Sequence, residues 1–327
     1  MLTNASRLRP IPQWLLAVTV FLGGIASGQI GIPNSTRYSF TQSPIPRAGA
    51  RFGSAVAAGD FDGNGTVEIA VGIKNGKNSA GVFTGTVQIF GINGNFLYDL
   101  SAPPVTLNDG DEFGAELHAA DVDPLNPGVE LIVGAPNADI PSGQVDAGLA
   151  FIYKSISMAP LTHSVTLQAP GTPRLGDEFG AAITSGDFGL GTSELEVIIG
   201  VPFHDTAGQA NAGAAIVFVD PILQQGQVRI ELLAGAPCLD DYFGKGLATG
   251  QILSDATRLD LVVGKYYSPA GAAGISALGE FEIQEYDGVQ FVMRTNQAEP
   301  VPLSEREPDT FFGWTVAAQP LSSLSEL

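Results

Sequence analysis

The sequence predicts an all-β protein, a β-propeller built from repeated four-stranded units. A Phe-Gly dipeptide recurs at intervals of 61 to 69 residues, and each of the first four copies is followed by a similar series of short apolar runs. Turn-forming residues are abundant, with 41 glycines and 22 prolines among 327 residues. Self-similarity at this length is typical of repeat architectures, and four strands form one propeller blade. The five dipeptides begin at Phe52, Phe113, Phe179, Phe243 and Phe312.

The first strand of each unit starts at the dipeptide and is rich in small residues. The stretches that align without gaps are "ARFGSAVAAGD", "DEFGAELHAAD", "DEFGAAITSGD" and "DYFGKGLATGQ". Small side chains suit the crowded axis of a propeller, where the inner strands converge. We expect the phenylalanine to act as a wedge between neighbouring units and the glycine to permit close approach of the backbone.

The other three strands follow in the same order in every unit. The second strand is an acid, an apolar run and a glycine, as in "EIAVG", "ELIVG", "EVIIG" and "DLVVG". The third strand is "GTVQIF", "GLAFIY", "GAAIVFV" or "GEFEIQEY", and the fourth is "FLYDLSAP", "SVTLQAP", "RIELLAG" or "FVMRTN". These runs are short and lack helical periodicity, which indicates strands separated by turns.

The composition narrows the range of partners. Fifteen basic residues against 34 acidic ones give a formal net charge of −19, which argues against a nucleic-acid partner because phosphate binding needs basic patches. The single cysteine, Cys238, excludes an intrachain disulfide framework.

The N-terminus resembles a signal peptide. Arg7 and Arg9 precede the apolar run Trp14–Ile25, which is too short to span a bilayer and is followed by small residues. We therefore expect residues 1–28 to be removed, so that Gln29 begins the mature chain. The predicted location is secreted, periplasmic or at the cell surface, with no membrane span after cleavage.

The repeats resemble the FG-GAP family, the propeller at the head of integrin alpha subunits and of many bacterial exported proteins. The second half of the family motif appears as "VGAP" at Val133–Pro136 and, altered, as "IGVP" at Ile199–Pro202, whereas the first and fourth units depart from it. The resemblance covers Arg51 to about Ala318. It implies a propeller of FG-GAP blades in a bacterial-type exported protein.

The domain boundaries follow from the repeats. Residues 29–50 form an N-terminal segment in which "RYSFTQSP", Arg37–Pro44, could supply an outer closing strand. Residues 51–327 form the propeller, with four complete blades and a partial fifth around "TFFGWTVAAQP". Full-size family propellers resemble seven-bladed rings. The chain is therefore either a small, imperfect ring or, as we favour, a truncated one with exposed edges that invite association.

The loop after the first strand, "DFDGNGTVE", has the pattern of a calcium site. Oxygen ligands stand at alternating positions, and Ca²⁺ accepts six to eight oxygens in flexible geometry. The FG-GAP resemblance implies that this loop binds calcium, and the alternative is an Asx-rich turn held by its own hydrogen bonds. The implied ligands are Asp60, Asp62, Asn64, Thr66 through its carbonyl, and Glu68.

The second loop, "DVDPLNPGVE", is a weaker candidate for a calcium site. One extra residue and two prolines disturb its spacing, so that a site and a simple turn are equally favoured. The residues it retains are Asp121, Asp123, Asn126 and Glu130. The third and fourth loops keep too few acids, and we predict no site there.

No catalytic constellation is visible in the sequence. The three histidines lack partners at metal-ligand or triad spacing, and the H-E-x-x-H, G-x-S-x-G and P-loop motifs are absent. Acidic pairs ahead of Phe-Gly, such as Asp177/Glu178 and Asp240/Asp241, are predicted to be solvated turn residues. We therefore expect a calcium-binding, non-catalytic module for binding or adhesion to an extracellular protein or carbohydrate. The alternative is a calcium-dependent polysaccharide lyase or hydrolase, or the remnant propeller of such an enzyme.

Overall fold

The computed structural model describes residues 39–298, apart from residues 45, 101–102, 104, 141, 157–158, 172, 191–194, 207, 223–227, 235–236, 253–258 and 266–279. These residues form sixteen β-strands and no helix. Within the described ranges, therefore, no helix is long and apolar enough to cross a bilayer. The predicted signal peptide, the start of the N-terminal segment and the partial fifth blade lie outside the described residues.

The strands form four separate sheets of four strands each. The first sheet holds β1 (Phe52–Gly59), β2 (Glu68–Ile73), β3 (Thr86–Gly91) and β4 (Phe96–Asp99). The second holds β5 (Glu116–Ala120), β6 (Glu130–Ala135), β7 (Leu149–Lys154) and β8 (Thr162–Leu167). The third holds β9 (Ile183–Gly186), β10 (Glu196–Val201), β11 (Ala214–Val219) and β12 (Val228–Leu232). The fourth holds β13 (Gly246–Gly250), β14 (Asp260–Lys265), β15 (Glu280–Tyr286) and β16 (Phe291–Ala298).

Each sheet is an antiparallel meander in chain order, which is the arrangement of a propeller blade. The ladders between the sixteen strands all join strands of the same repeat, such as β1 with β2 and β14 with β15, and isolated bridges at Gly85–Phe113 and Gly213–Phe243 link successive repeats. The first strands of successive sheets, β1, β5, β9 and β13, are neighbours in space and form the inner side of the blades. The predicted propeller of four complete blades is confirmed.

The phenylalanines of the second, third and fourth Phe-Gly dipeptides form the predicted wedges between blades, whereas Phe52 lies partly exposed on the first sheet. Phe113 is 3% exposed in a core that joins the first and second sheets, where it packs with Val87 and Phe151. Phe179 and Phe243 are fully buried in the equivalent cores between the second and third and between the third and fourth sheets. One phenylalanine thus anchors each of the second, third and fourth sheets to its predecessor.

The glycine of the dipeptide faces a glycine of the preceding unit's second strand, and this pair permits the predicted close backbone approach. A Cβ atom at Gly134, in β6, would lie 2.2 Å from the carbonyl oxygen of Gly180 in the next unit. A Cβ atom at Gly200, in β10, would lie 2.0 Å from the carbonyl oxygen of Gly244. Side chains are excluded at these positions because the facing atom belongs to the backbone.

The acid that opens each second strand closes the preceding loop. One carboxylate oxygen of this residue accepts the N–H of the second residue beyond the inner strand, at 2.8–3.0 Å, in all four blades. The four acceptors are Glu68, Glu130, Glu196 and Asp260, and the donors are Phe61, Val122, Phe188 and Ile252. These acids therefore have a structural role that needs no metal.

The aspartates two residues before Phe-Gly are buried, which corrects the prediction of solvated turn residues for Asp177 and Asp241. These two side chains and Asp111 each accept the N–H of the residue three positions earlier, at 2.7 Å. Asp177 is 1% exposed and Asp241 is fully buried. A buried N–H needs an acceptor, and the carboxylate supplies one within the same turn.

Residues 39–44 of the N-terminal segment form no strand, so this described part does not supply the outer closing strand considered above. Phe40 instead packs edge-on against Phe90 with ring centroids 5.7 Å apart. Ser43 exchanges two hydrogen bonds with Gln88, at 3.0 and 2.7 Å. The segment thus covers part of the face of the first sheet that points away from the second sheet.

Candidate functional site

The first inter-strand loop brings three predicted calcium ligands together. It joins β1 to β2, and carboxylate oxygens of Asp60, Asp62 and Glu68 lie within 4.8 Å of one another. Oxygens bound to one Ca²⁺ at 2.3–2.6 Å can be no more than about 5 Å apart, so this spacing fits a shared ion. Gly65 has a φ of +88°, which supplies the sharp turn expected at this position.

The other two predicted ligands, Asn64 and Thr66, lie beside this group but face the loop itself. The amide of Asn64 donates to Asp62 at 2.8 Å, and its oxygen accepts the Thr66 N–H, also at 2.8 Å. The Thr66 hydroxyl donates to Glu68 Oε1 at 3.1 Å. The hydrogen bonds of an Asx turn and the oxygen cluster of a cation site are thus built from the same side chains.

The electrostatics of the loop favour a cation. Burial raises the pKa of the Glu68 carboxyl, the Phe61 N–H opposes that rise, and the nearby charge of Asp62 adds to it. Among the described residues, no lysine or arginine makes an ion pair with any of the three acids. A divalent ion would relieve the repulsion among them.

The second predicted loop has a different arrangement, in which a lysine supplies the positive charge. The ammonium of Lys154, at the end of β7, lies 2.8 Å from Asp123 Oδ2. Glu130 accepts N–H bonds from Val122 and Asp123 and the side-chain amide of Asn126, at 2.8–3.0 Å. Asp121 is exposed, and the described residues of this loop form no cluster of three metal-ligating groups.

A cavity of about 720 Å³, called the axial cavity below because residues from all four sheets line it, was not predicted from the sequence. It is lined by the starts of all four inner strands, with small residues such as Gly53, Ala115 and Ala182 on its walls. The first loop lies at the other end of β1. At about 3.3 Å per residue, the six residue steps from Ser54, which lines the cavity, to Asp60 in the loop correspond to roughly 20 Å.

The rim of this axial cavity carries paired charges. Lys74 lies 2.8 Å from Glu112, and Lys245 lies 3.6 Å from Glu178, so each pair links two different repeats. Glu116, the first residue of β5, also lines the cavity and makes no ion pair with a described residue. Burial raises the pKa of its carboxyl to about 7.

The histidines lie apart from the first loop and the axial cavity. His118 Nε2 lies 2.8 Å from Ser185 Oγ and joins β5 to β9, and burial lowers its pKa to about 4. His163 packs edge-on against Tyr153. His204 lies 3.4 Å from carboxylates of both Asp177 and Glu231.

Comparisons with known proteins agree with this fold. Residues 52–90, which span β1 to β3 of the first blade, match the FG-GAP repeat family. The chain is also similar to integrin alpha-PS2 of Drosophila melanogaster, with 26% identity over 262 residues. That alignment covers 75% of this chain and 17% of the fly protein, so the chain spans about a sixth of its relative. Residues 52–90 thus match an FG-GAP repeat, and the distant similarity to an integrin alpha subunit and the four four-stranded sheets are consistent with that match.

Proposed function

We propose that this chain is an exported, calcium-binding FG-GAP propeller that binds an extracellular protein or carbohydrate without catalysing a reaction. The observation that carries the proposal is the axial cavity, because it gathers the starts of four repeats into one concave site. Concave sites of 300–1,000 Å³ are the usual size for small ligands and for protruding parts of larger ones. The FG-GAP repeat and the integrin alpha similarity suggest a module of the binding or adhesion type.

Calcium would bind at the end of the propeller opposite this cavity. Asp60, Asp62 and Glu68 would hold the ion, and Asn64 and Thr66 would complete its oxygen shell after a small change in the loop. Bound calcium would neutralise the three acids and tie the end of β1 to the start of β2. The expected consequence is a stiffer loop and a more stable blade.

Thermal unfolding with calcium or with a chelator tests this site. We expect calcium near one hundred times its Kd to raise the Tm by about 5–10 °C, and Asp60→Ala to abolish the rise. The matched control is Asp187→Ala, which removes the corresponding acid from the third loop and should leave the rise intact. Equal melting temperatures of the unaltered protein with and without calcium would refute a stabilising calcium site.

Ligand binding and export are tested separately. Glycan arrays and binding assays with extracellular proteins should identify a ligand whose affinity falls when residues at the cavity rim are changed. Lys74→Gln is suitable because it removes one rim charge without touching the calcium loop.

For export, mass spectrometry of the secreted chain should find Gln29 at its N-terminus. Retention of residues 1–28 in the mature protein would contradict the signal-peptide prediction.

The environment of Glu116 favours a second candidate, a calcium-dependent polysaccharide lyase or hydrolase. A carboxyl with a pKa of about 7 inside a cavity has the properties of a general acid or base near neutral pH. Polysaccharide cleavage that Glu116→Gln abolishes, with folding preserved, would establish this candidate and exclude the non-catalytic role. Binding without turnover would exclude the enzyme.

A further inference from the structure

A second cavity, of about 700 Å³, lies beside the first sheet at the same end of the blades as the Phe-Gly dipeptides. Its walls come from the N-terminal segment, the β2–β3 loop and the residues that follow β4. We propose that this cavity binds an anionic oligosaccharide, one that carries uronate carboxylates or sulfate groups. The inference rests on the proposed binding function and assigns a ligand class to a site separate from the axial cavity.

Two cationic side chains line the mouth of this cavity. Arg47 and Lys77 are exposed, and neither makes an ion pair with a carboxylate among the described residues. Acidic residues outnumber basic ones by more than two to one in this chain, so most cations would be expected to find a carboxylate nearby. Two cations without such partners, at one cavity, leave their charge available to an anionic ligand.

An exposed aromatic ring holds both charges in position. Lys77 Nζ lies 4.5 Å from the centroid of the Phe83 ring, and Arg47 Cζ lies 5.2 Å from it. Both distances are within the range of a cation–π interaction, and together they place the charges no more than about 10 Å apart. Because the ring already restricts both side chains, a ligand with two anionic groups would bind them at a reduced cost in conformational entropy.

The rest of the cavity favours a sugar over an acidic peptide. The hydroxyls of Ser79 and Thr106 line it and form no hydrogen bond with another described residue. Two carboxylates are also present: Asp99, which lines the cavity, accepts the Gln88 amide at 2.8 Å, and Asp109 accepts the Phe83 N–H at 3.3 Å. Free hydroxyls beside two cations match the hydroxyl and acidic groups of an anionic glycan.

Calorimetric titration of the full chain tests the proposal. The probes are hexagalacturonate and a sulfated heparin hexasaccharide, with neutral maltohexaose and hexaglutamate as comparisons. We expect an anionic sugar to bind at least about tenfold more tightly than maltohexaose or hexaglutamate. The double variant Arg47→Gln/Lys77→Gln should weaken that binding by about a hundredfold, roughly tenfold for each lost charged contact.

Matched variants separate this site from general electrostatics. Arg174→Gln/Arg294→Gln removes the same charge from two other exposed positions and should change the affinity less than about twofold. Phe83→Leu keeps an apolar side chain but removes the cation–π contacts, so it should weaken binding by about three- to tenfold.

Three results would overturn the anionic-sugar site. They are no binding of either acidic sugar, an equal loss of affinity in the two double variants, and hexaglutamate binding as tightly as the sugars. The first of these results could be accompanied by a neutral glycan or a protein that binds the unaltered chain and both double variants equally. In that last case the proposed binding function would stand, because the ligand would be using another surface.

Discussion

Glu116 shows how burial beside the axial cavity changes the pKa of a single carboxyl group. Its carboxyl has a pKa of about 7 in the folded protein, against an ordinary value of 4.5. A carboxyl whose pKa is raised on folding contributes stability below pH 4.5 and loses that contribution as the pH rises towards 7. Burial thus makes the ionised form of this residue unfavourable to the native state at neutral pH.

We therefore expect Glu116→Gln to stabilise the protein at pH 8 by about 1–2 kcal/mol, allowing for solvent in the cavity, and to have little effect at pH 4. Denaturant unfolding at both pH values, with chelator present, measures the difference. Glu112→Gln is the control, because it breaks the contact with Lys74 and should not stabilise the protein. A Glu116→Gln effect of the same size at both pH values would contradict this explanation.

Lys154 is the residue that distinguishes the second loop from the first. Replacing it by methionine leaves the largely buried Asp123 without its cation. We therefore expect the free energy of unfolding to fall by about 1–3 kcal/mol when a chelator is present. In an Asp60→Ala background, where the first loop is disabled, calcium should restore part of this loss. Lys154→Arg should remain insensitive to calcium, and Tm measurements compare the variants. Failure of calcium to stabilise Lys154→Met would show that the loop does not become a cation site when the ammonium is removed.

The contacts between neighbouring blades depend on positions that tolerate no side chain. Gly200, in β10, has a backbone conformation open to other residues, but its Cβ would meet the Gly244 carbonyl oxygen at 2.0 Å. We expect Gly200→Ala to lower the free energy of unfolding by about 3 kcal/mol or more, because the two backbone segments must move apart. Gly143→Ala is the control, because its φ of +97° is strained but no atom lies nearby, and it should cost about 1–2 kcal/mol. Denaturant midpoints compare the two variants, and equal losses would show that the clash at Gly200 costs no more than the backbone strain at Gly143.

The strands were predictable because their signals lie within one repeat. The run "EIAVG" predicts β2 by itself, and the Phe-Gly dipeptide locates the start of each blade. Asp60, Asp62 and Glu68 could be grouped from spacing alone because they belong to one loop. The burial of Asp177 was missed because an acid in a turn is usually solvated. Its signal was the repeated aspartate two residues before each phenylalanine from the second blade to the fourth.

At the scale of the whole molecule, sites that join distant repeats could not be predicted from the sequence. The axial cavity brings together Arg51, Glu116 and Lys245, which are separated along the chain by one or more blades. The second cavity depends on the contacts of Arg47, from the N-terminal segment, and Lys77 with the Phe83 ring, which no local pattern encodes. Their positions follow only from how the sheets and the N-terminal segment pack, and this packing is also what makes the blades depend on one another.

If each blade contacts only its neighbours, the unfolding transition of a variant should depend on which interface between blades the substitution weakens. Phe179 is fully buried between the second and third sheets, whereas Phe52 lies partly exposed on the first sheet and contacts Phe90 at its outer face. Phe179→Ala should therefore lower the free energy of unfolding by about 3–5 kcal/mol. It should also uncouple the first two described blades from the last two. Denaturant unfolding of this variant should show a lower midpoint and a broader or two-step transition, because the pairs no longer unfold together.

Phe52→Ala provides the matched comparison, since it removes the same group from the corresponding position at the edge of the array. It should lower the midpoint by less and leave a single transition, because the three interfaces between sheets stay intact. Fluorescence and far-ultraviolet circular dichroism, followed together, distinguish the two patterns because separate units make the probes diverge. If both variants unfold in one step with equal losses of stability, the four sheets share a single core, and an array of nearest neighbours is the wrong description of this propeller.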